Sequence, residues 1–79
     1  MIMAAEEATG LDLQALRRAA VLTQGELAAK IGVGPRIITK WENGEAMPRP
    51  TNIRKLAETL GVSPREVVAA LQQSGKRGA

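Results

Sequence analysis

The sequence has no cysteine and no histidine among its 79 residues. Without these side chains it cannot form a disulfide, a thiolate or imidazole metal site, or a Ser-His or Cys-His catalytic pair. A cleft for carboxylate-only chemistry is hard to build in so short a chain. We therefore expect no enzyme activity, no metal site and no cofactor.

Long apolar runs are also missing, and none approaches the ~20 residues that a membrane-spanning helix needs. The N-terminal stretch "MIMAAEEATG" lacks the basic region and long apolar core of a signal peptide. These features predict a soluble, cytoplasmic protein.

Aromatic residues are nearly absent, since Phe and Tyr do not occur and Trp41 stands alone. Aromatic strand residues are therefore missing. The Asn43-Gly44 pair follows a helical pattern, which favours a helix end over a β-hairpin turn. The sequence predicts an all-α protein.

Apolar residues at helical spacing predict one domain of five helices at residues 11–73. The expected spans are residues 12–20, 23–32, 35–43, 50–61 and a fifth from residue 63 onwards. Thr23 with Glu26, and Ser63 with Glu66, have the spacing of capping boxes at helix starts. A flexible segment is expected at residues 1–10 and a disordered tail at residues 74–79.

Charge is unevenly distributed along the chain. Residues 1–12 hold three acidic side chains and no basic one. The rest of the chain carries all 11 basic side chains but only five acidic ones. A basic body suits a polyanionic partner such as nucleic acid, although a mildly basic solvated surface gives the same balance.

The stretch "IGVGPRIITKW" separates two short helices by a tight turn. Gly32 can adopt the left-handed conformation that such a turn needs, Val33 can point between the helices, and Pro35 suits a first helical position. This arrangement is a helix-turn-helix, whose second helix can lie in a DNA major groove.

The sequence resembles the phage-repressor and Cro-like (lambda-repressor-like) helix-turn-helix family, which also includes bacterial regulators and antitoxins. "LTQGELAAKIGV", "KWENG" and "MPRPTNIRKLAETLGVSP" carry the resemblance, which extends from about Leu13 to Leu71. It implies a compact five-helix bundle. It also implies a sequence-specific double-stranded DNA-binding regulator, a repressor that binds a palindromic operator as a homodimer in a bacterial or phage-infected cell, associated with the nucleoid.

The resemblance further implies which side chains contact DNA. The positions that match phosphate contacts are Thr23, Gln24 and Asn43. The positions that match the groove-facing part of the recognition helix are Pro35, Arg36, Ile37, Thr39 and Lys40. Arg49 matches a loop position near the backbone or the minor groove.

The chemistry of these side chains suits such contacts. Arg36 can donate twice to guanine O6 and N7. Lys40 has two interpretations, base contact and phosphate contact. Thr39 can offer a hydroxyl or a methyl group to a base edge, and Ile37 suits a thymine methyl group.

Five residues depart from the family pattern: Val21, Gly25, Gly34, Pro35 and Glu45. Gly34 replaces the usual Ser or Thr cap of the recognition helix, Pro35 removes a donor, and Glu45 adds a negative charge to a loop that is commonly basic. Val21 occupies a turn position where Gly or Asn is common, and a β-branched residue tolerates positive φ poorly, so we expect that turn to differ locally. Gly25 falls inside the second helix and should cost about 1 kcal/mol relative to Ala.

Two alternative functions stay open. The first is an antitoxin that neutralises a toxin protein and uses DNA binding to autoregulate. The second is a protein-interaction adaptor that uses the same bundle without reading DNA. Co-purification of a second small protein would favour the antitoxin, and loss of all sequence preference for DNA would favour the adaptor.

Overall fold

Five helices make up the part of the chain that the computed structural model describes, residues 11–78. They are α1 (Leu13–Ala19), α2 (Gln24–Ile31), α3 (Pro35–Glu42), α4 (Pro50–Leu60) and α5 (Pro64–Gly78), and no strand occurs between residues 11 and 78. The predicted all-α, five-helix architecture is confirmed. The flexible segment expected at residues 1–10 lies outside the described residues.

Both predicted capping boxes are present. The Thr23 hydroxyl accepts the Glu26 N–H at 3.0 Å, and the Glu26 carboxylate accepts the Thr23 N–H at 2.9 Å. Ser63 and Glu66 form the same reciprocal pair at 3.1 and 3.0 Å. Each pair satisfies backbone donors that a helix start leaves without an intrahelical acceptor, which explains where α2 and α5 begin.

The turn between α2 and α3 follows the sequence prediction. Gly32 has φ +90°, which suits a residue without a Cβ atom, and the Val33 N–H donates to the Ala28 carbonyl at 3.0 Å. Val33 is partly buried against the core. The two helices pack on each other, so the turn fixes α3 on the bundle.

One apolar core joins all five helices. Ile38 is fully buried and Trp41 is 4% exposed, which places one side of α3 in this core, as the sequence predicts. The buried apolar residues are Leu13, Leu16, Leu27, Ala28, Ile31, Ile38, Trp41, Leu56, Ala57, Leu60, Val67, Ala70 and Leu71. Burial of this kind is the main source of stability in a small domain.

The disordered tail expected at residues 74–79 is wrong for residues 74–78, because α5 continues to Gly78. Ser74 is fully buried on the inner side of this helix. Its hydroxyl oxygen accepts the Leu13 N–H at 3.1 Å, and its hydroxyl donates to the Ala70 carbonyl at 3.0 Å. Ser74 therefore satisfies a backbone donor at the start of α1, which ties α5 to α1.

The turn after α1 keeps the left-handed conformation that Val21 was expected to disfavour. Val21 has φ +59°, the only positive φ of a non-glycine residue between residues 11 and 78. Its N–H donates to the Arg18 carbonyl at 2.9 Å, and the Leu22 N–H donates to the Arg17 carbonyl at 3.2 Å. Leu22 packs against the core, so the bundle holds the turn despite the cost at Val21.

Candidate nucleic-acid interface

The outer side of α3 carries most of the predicted DNA contacts. Pro35, Arg36 and Lys40 are exposed there, and Ile37 is 37% exposed. Arg36 and Lys40 lie one helical turn apart and therefore share a side of the helix. This side is opposite the buried Ile38, so the core fixes which residues α3 presents outwards.

The single acidic residue of α3 contributes no charge to this surface. Glu42 is 2% exposed and forms an ion pair with Arg17 of α1, which is 8% exposed. Arg17 also donates to the Leu22 carbonyl at 2.9 Å. The exposed charges of α3 are therefore the cations Arg36 and Lys40, which makes the outer side electropositive.

A hydrogen-bond chain connects this ion pair to the surface. Gln24 donates through Nε2 to Glu42 Oε1 at 2.9 Å, and Thr39 Oγ1 lies 3.2 Å from Gln24 Oε1. Gln24 and Thr39 are both half-buried. The structure thus brings together a predicted phosphate contact at the start of α2 and a predicted base contact in the middle of α3.

Thr23, the residue before Gln24, is exposed and caps α2. Hydrogen bonds from its backbone N–H and from its side chain lower the pKa of Glu26 below the ordinary value of 4.5. Glu26 therefore carries its negative charge at neutral pH beside the start of α2. A phosphate held there has to be bound by Thr23 and Gln24 on the side away from that carboxylate.

Asn43 and Arg49 lie at either end of the loop between α3 and α4. Asn43 is the C-terminal cap of α3 and is exposed, and its Nδ2 donates to Glu45 Oε2 at 3.3 Å. Arg49 is the exposed residue before α4, with no side-chain capping bond. No hydrogen bond between described residues joins either of them to the Gln24–Thr39 pair.

Sequence reasoning missed Arg17 and Glu42, which orient Gln24. A signal for both was present. Arg17 follows Leu13 by four residues, and Glu42 follows Ile38 by four, so each falls on the apolar side of its helix. Two opposite charges on the buried sides of two helices are typical of a paired, buried arrangement.

A family model described as helix-turn-helix matches residues 13–67 of the sequence. The chain belongs to the Cro/C1-type helix-turn-helix family. The matched residues run from the start of α1 to the first turn of α5 and include every predicted contact residue. The family that the sequence resembles is thereby confirmed.

The similar proteins come from a bacterium, a phage and a fungus. An uncharacterized HTH-type transcriptional regulator, RghRB, from Bacillus subtilis is 42% identical over 62 residues, which are 77% of this chain and 45% of that protein. The 26 kDa repressor protein of Escherichia phage HK022 is 42% identical over 40 residues, 51% of this chain and 17% of the repressor. Multiprotein-bridging factor 1 of Candida albicans is 39% identical over 56 residues, 71% of this chain and 37% of that factor.

The chain spans less than half the length of each of these relatives. No solved structure gives a significant match to it. None of the helices at residues 11–78 combines the length and the apolar character required to cross a lipid bilayer.

Proposed function

We propose that this protein is a sequence-specific double-stranded DNA-binding transcriptional regulator that acts as a repressor. One observation carries the proposal: α3 presents Arg36 and Lys40 outwards while its acid, Glu42, is buried against Arg17. An electropositive helix, packed by its inner side against the bundle, suits a recognition helix in a major groove. It acts without a catalytic residue, a metal or a cofactor, on the nucleoid of a bacterial or phage-infected cell.

The exposed side chains of α3 have distinct parts in this proposal. Arg36 donates to guanine O6 and N7 through its planar fork, and Lys40 donates to a guanine or to a phosphate. Ile37 contacts a thymine methyl group. Pro35 has no backbone N–H, so at the first position of α3 it contributes apolar contact alone.

Four other residues hold the phosphate backbone. Thr23 and Gln24 lie at the start of α2, where backbone N–H groups and the helix dipole favour an anion. Asn43 reaches a phosphate by releasing its hydrogen bond to Glu45. Arg49 adds a positive charge before α4. Such contacts set the position and orientation of α3 without reading sequence.

The size of α3 supports a homodimer. The helix has eight residues and can reach only a few base pairs, which is too little for high specificity. Two copies related by a two-fold axis read two half-sites whose centres lie about 34 Å apart, one helical turn of DNA. The operator is then a palindrome.

A random-sequence DNA selection with the purified chain tests this function. The expected result is a palindromic motif with half-site centres about 10 base pairs apart, and binding that weakens steeply with salt. Enrichment of no motif would contradict sequence-specific binding. Enrichment of a strictly asymmetric motif, bound by one protein per duplex, would contradict the homodimer.

A second candidate function is a protein-interaction adaptor. It is favoured by the similarity to a relative named multiprotein-bridging factor 1, which covers 71% of this chain. An adaptor would show no sequence preference in the DNA selection and would retain its partner when Arg36 and Lys40 are both replaced by Ala. An antitoxin would instead co-purify with a toxin protein and still select an operator.

A further inference from the structure

We infer that Thr39 reads an exocyclic amino group in the major groove, either N6 of adenine or N4 of cytosine. The inference rests on the proposed function and specifies what one side chain of α3 recognises. A threonine hydroxyl can in general donate or accept, so its preference for a base is normally open. In this protein the partners of Thr39 remove that freedom.

Glu42 determines which group donates and which accepts at each step of the hydrogen-bond chain that runs from Glu42 through Gln24 to Thr39. The Glu42 carboxylate is buried and ion-paired with Arg17, so it can only accept. The Gln24 amide must therefore turn its NH₂ group to Glu42, at 2.9 Å, and its carbonyl oxygen to Thr39. Since that oxygen only accepts, the Thr39 hydroxyl must donate to it across 3.2 Å.

A second acceptor shares the hydrogen of the Thr39 hydroxyl. The Pro35 carbonyl lies 3.3 Å from Thr39 Oγ1 and is also an acceptor. Between residues 11 and 75 no donor reaches Thr39 Oγ1. The hydroxyl hydrogen is therefore committed within the protein, whereas the oxygen keeps a free lone pair. If the Thr39 hydroxyl turned to donate to DNA, the half-buried Gln24 Oε1 would lose its hydrogen-bond donor. Leaving that oxygen without a donor is unfavourable.

An oxygen that only accepts can pair with only one kind of group on a base edge. In the major groove the donors are adenine N6 and cytosine N4, whereas guanine O6 and N7, adenine N7 and thymine O4 are acceptors. Thr39 lies three residues after Arg36, on the same side of α3. The helix thus combines donors at Arg36 and Lys40 with an acceptor at Thr39.

The first step of the test locates the base pair that Thr39 contacts. Thr39→Val keeps the branched shape and removes the hydroxyl, whereas Thr39→Ser keeps the hydroxyl and removes the methyl group. Thr59→Val, the same replacement of threonine by valine at a position in α4, is the control. In DNA selections, Thr39→Val should lose preference at one position per half-site, while Thr39→Ser and Thr59→Val should select the wild-type motif. Trp41 fluorescence checks folding, and Thr39→Ala replaces the valine variant if that variant does not fold.

The second step uses duplexes that lack single groups at that base pair. Removing the amino group, by placing purine for adenine or 2-pyrimidinone for cytosine, should weaken wild-type binding about 3- to 10-fold. The same change should leave binding by Thr39→Val unaltered. Removing the carbonyl oxygen of the opposite base in the pair should not change the difference in affinity between wild type and Thr39→Val.

Two results would overturn the inference. In the first, Thr39→Val selects the wild-type motif; if Thr39→Ser also loses the preference, the methyl group is what is read. In the second, loss of the carbonyl oxygen, rather than of the amino group, removes the difference in affinity between wild type and Thr39→Val. Absence of any wild-type motif is a separate outcome, which refutes the proposed function before a variant is compared.

Discussion

Gly44 and Gly75 approach each other backbone to backbone, so that a Cβ atom built on Gly44 would lie 2.5 Å from the Gly75 Cα atom. Gly44 follows α3 and Gly75 lies in α5, so this contact joins the end of α3 to α5. Gly44 also has φ +75°, a conformation that disfavours any side chain.

Gly44→Ala should therefore lower the free energy of unfolding by about 2–4 kcal/mol, since it adds backbone strain and a clash. Urea unfolding followed by Trp41 fluorescence measures this loss. Gly25→Ala is the matched control, because a Cβ there would meet nothing closer than Thr23 Oγ1 at 4.0 Å. The control should raise the free energy of unfolding by up to about 1 kcal/mol. Equal stability of the Gly44→Ala protein and wild type would contradict the close approach.

Val21 is a site where a substitution should stabilise the protein. It has φ +59° and is 86% exposed, so it bears strain without burying apolar area. Val21→Asn should raise the free energy of unfolding by about 1 kcal/mol, because Asn tolerates this conformation. Val21→Ala, which keeps a Cβ atom without a polar side chain, should gain less. Thermal unfolding compares the three proteins, and a less stable Val21→Asn protein would contradict the left-handed turn.

Because Arg17 is paired with Glu42 in the core, replacing Arg17 should destabilise the protein much more than replacing its neighbour Arg18. Arg17→Met leaves the Glu42 carboxylate buried without its cation and should lower the free energy of unfolding by about 3–5 kcal/mol. Arg18→Met, at the exposed next position, should change it by less than about 0.5 kcal/mol. Chemical denaturation measures both. The pair would be ruled out as a structural element if the two variants were equally stable.

Replacing Glu42 as well should recover much of that loss. Arg17→Met combined with Glu42→Leu leaves no unpaired charge in the core, and such apolar replacements are often neutral or stabilising. The same double variant removes the group that orients Gln24. It should therefore remain folded while its preference at the base pair contacted by Thr39 weakens.

Glu26 links the stability of α2 to pH. Hydrogen bonds from Thr23 hold the pKa of Glu26 below its ordinary value of 4.5 in the folded protein. A carboxyl group whose pKa is lower when folded stabilises the protein above its unfolded pKa, and this contribution disappears as the pH falls through the folded pKa. Wild type should thus exceed Glu26→Gln in stability near neutral pH, and the difference should vanish in acid.

Denaturation midpoints of both proteins between neutral pH and pH about 2 test this linkage. Glu58→Gln, an exposed glutamate without a capping contact, is the control. A difference between wild type and Glu26→Gln that stays constant down to the lowest pH would contradict an ionised capping box.

Local signals were sufficient to predict most of the fold. The capping boxes at Thr23 and Ser63, and the glycine at residue 32, mark helix boundaries through interactions within a few residues, which a sequence shows directly. The end of α5 depends on distant contacts. Ser74 bonds to the start of α1 and Gly75 meets Gly44, and neither pairing leaves a pattern near residue 74.

The sequence was sufficient to predict which side of α3 is exposed, but not the hydrogen bonds that connect its side chains to α1 and α2. Helical spacing separates the outward Arg36 and Lys40 from the inward Ile38 and Trp41. Whether the Thr39 hydroxyl donates or accepts depends on Gln24 and Glu42. This cannot be predicted without knowing that α1, α2 and α3 converge. Spacing shows that a charge falls on a buried side, whereas only the packed structure shows which opposite charge meets it.

The central claim is that the outer side of α3 reads DNA sequence while its inner side holds the fold. Arg36→Ala compared with Arg65→Ala, the same change at an exposed position of α5, tests it most directly. Both proteins are titrated against the selected operator and a scrambled duplex, and their unfolding is followed by Trp41 fluorescence. Both should unfold within about 0.5 kcal/mol of wild type. Arg36→Ala should lose about 1–3 kcal/mol of binding to the operator alone, with relaxed preference at one position per half-site. Unchanged operator binding and specificity in the folded Arg36→Ala protein would contradict the account.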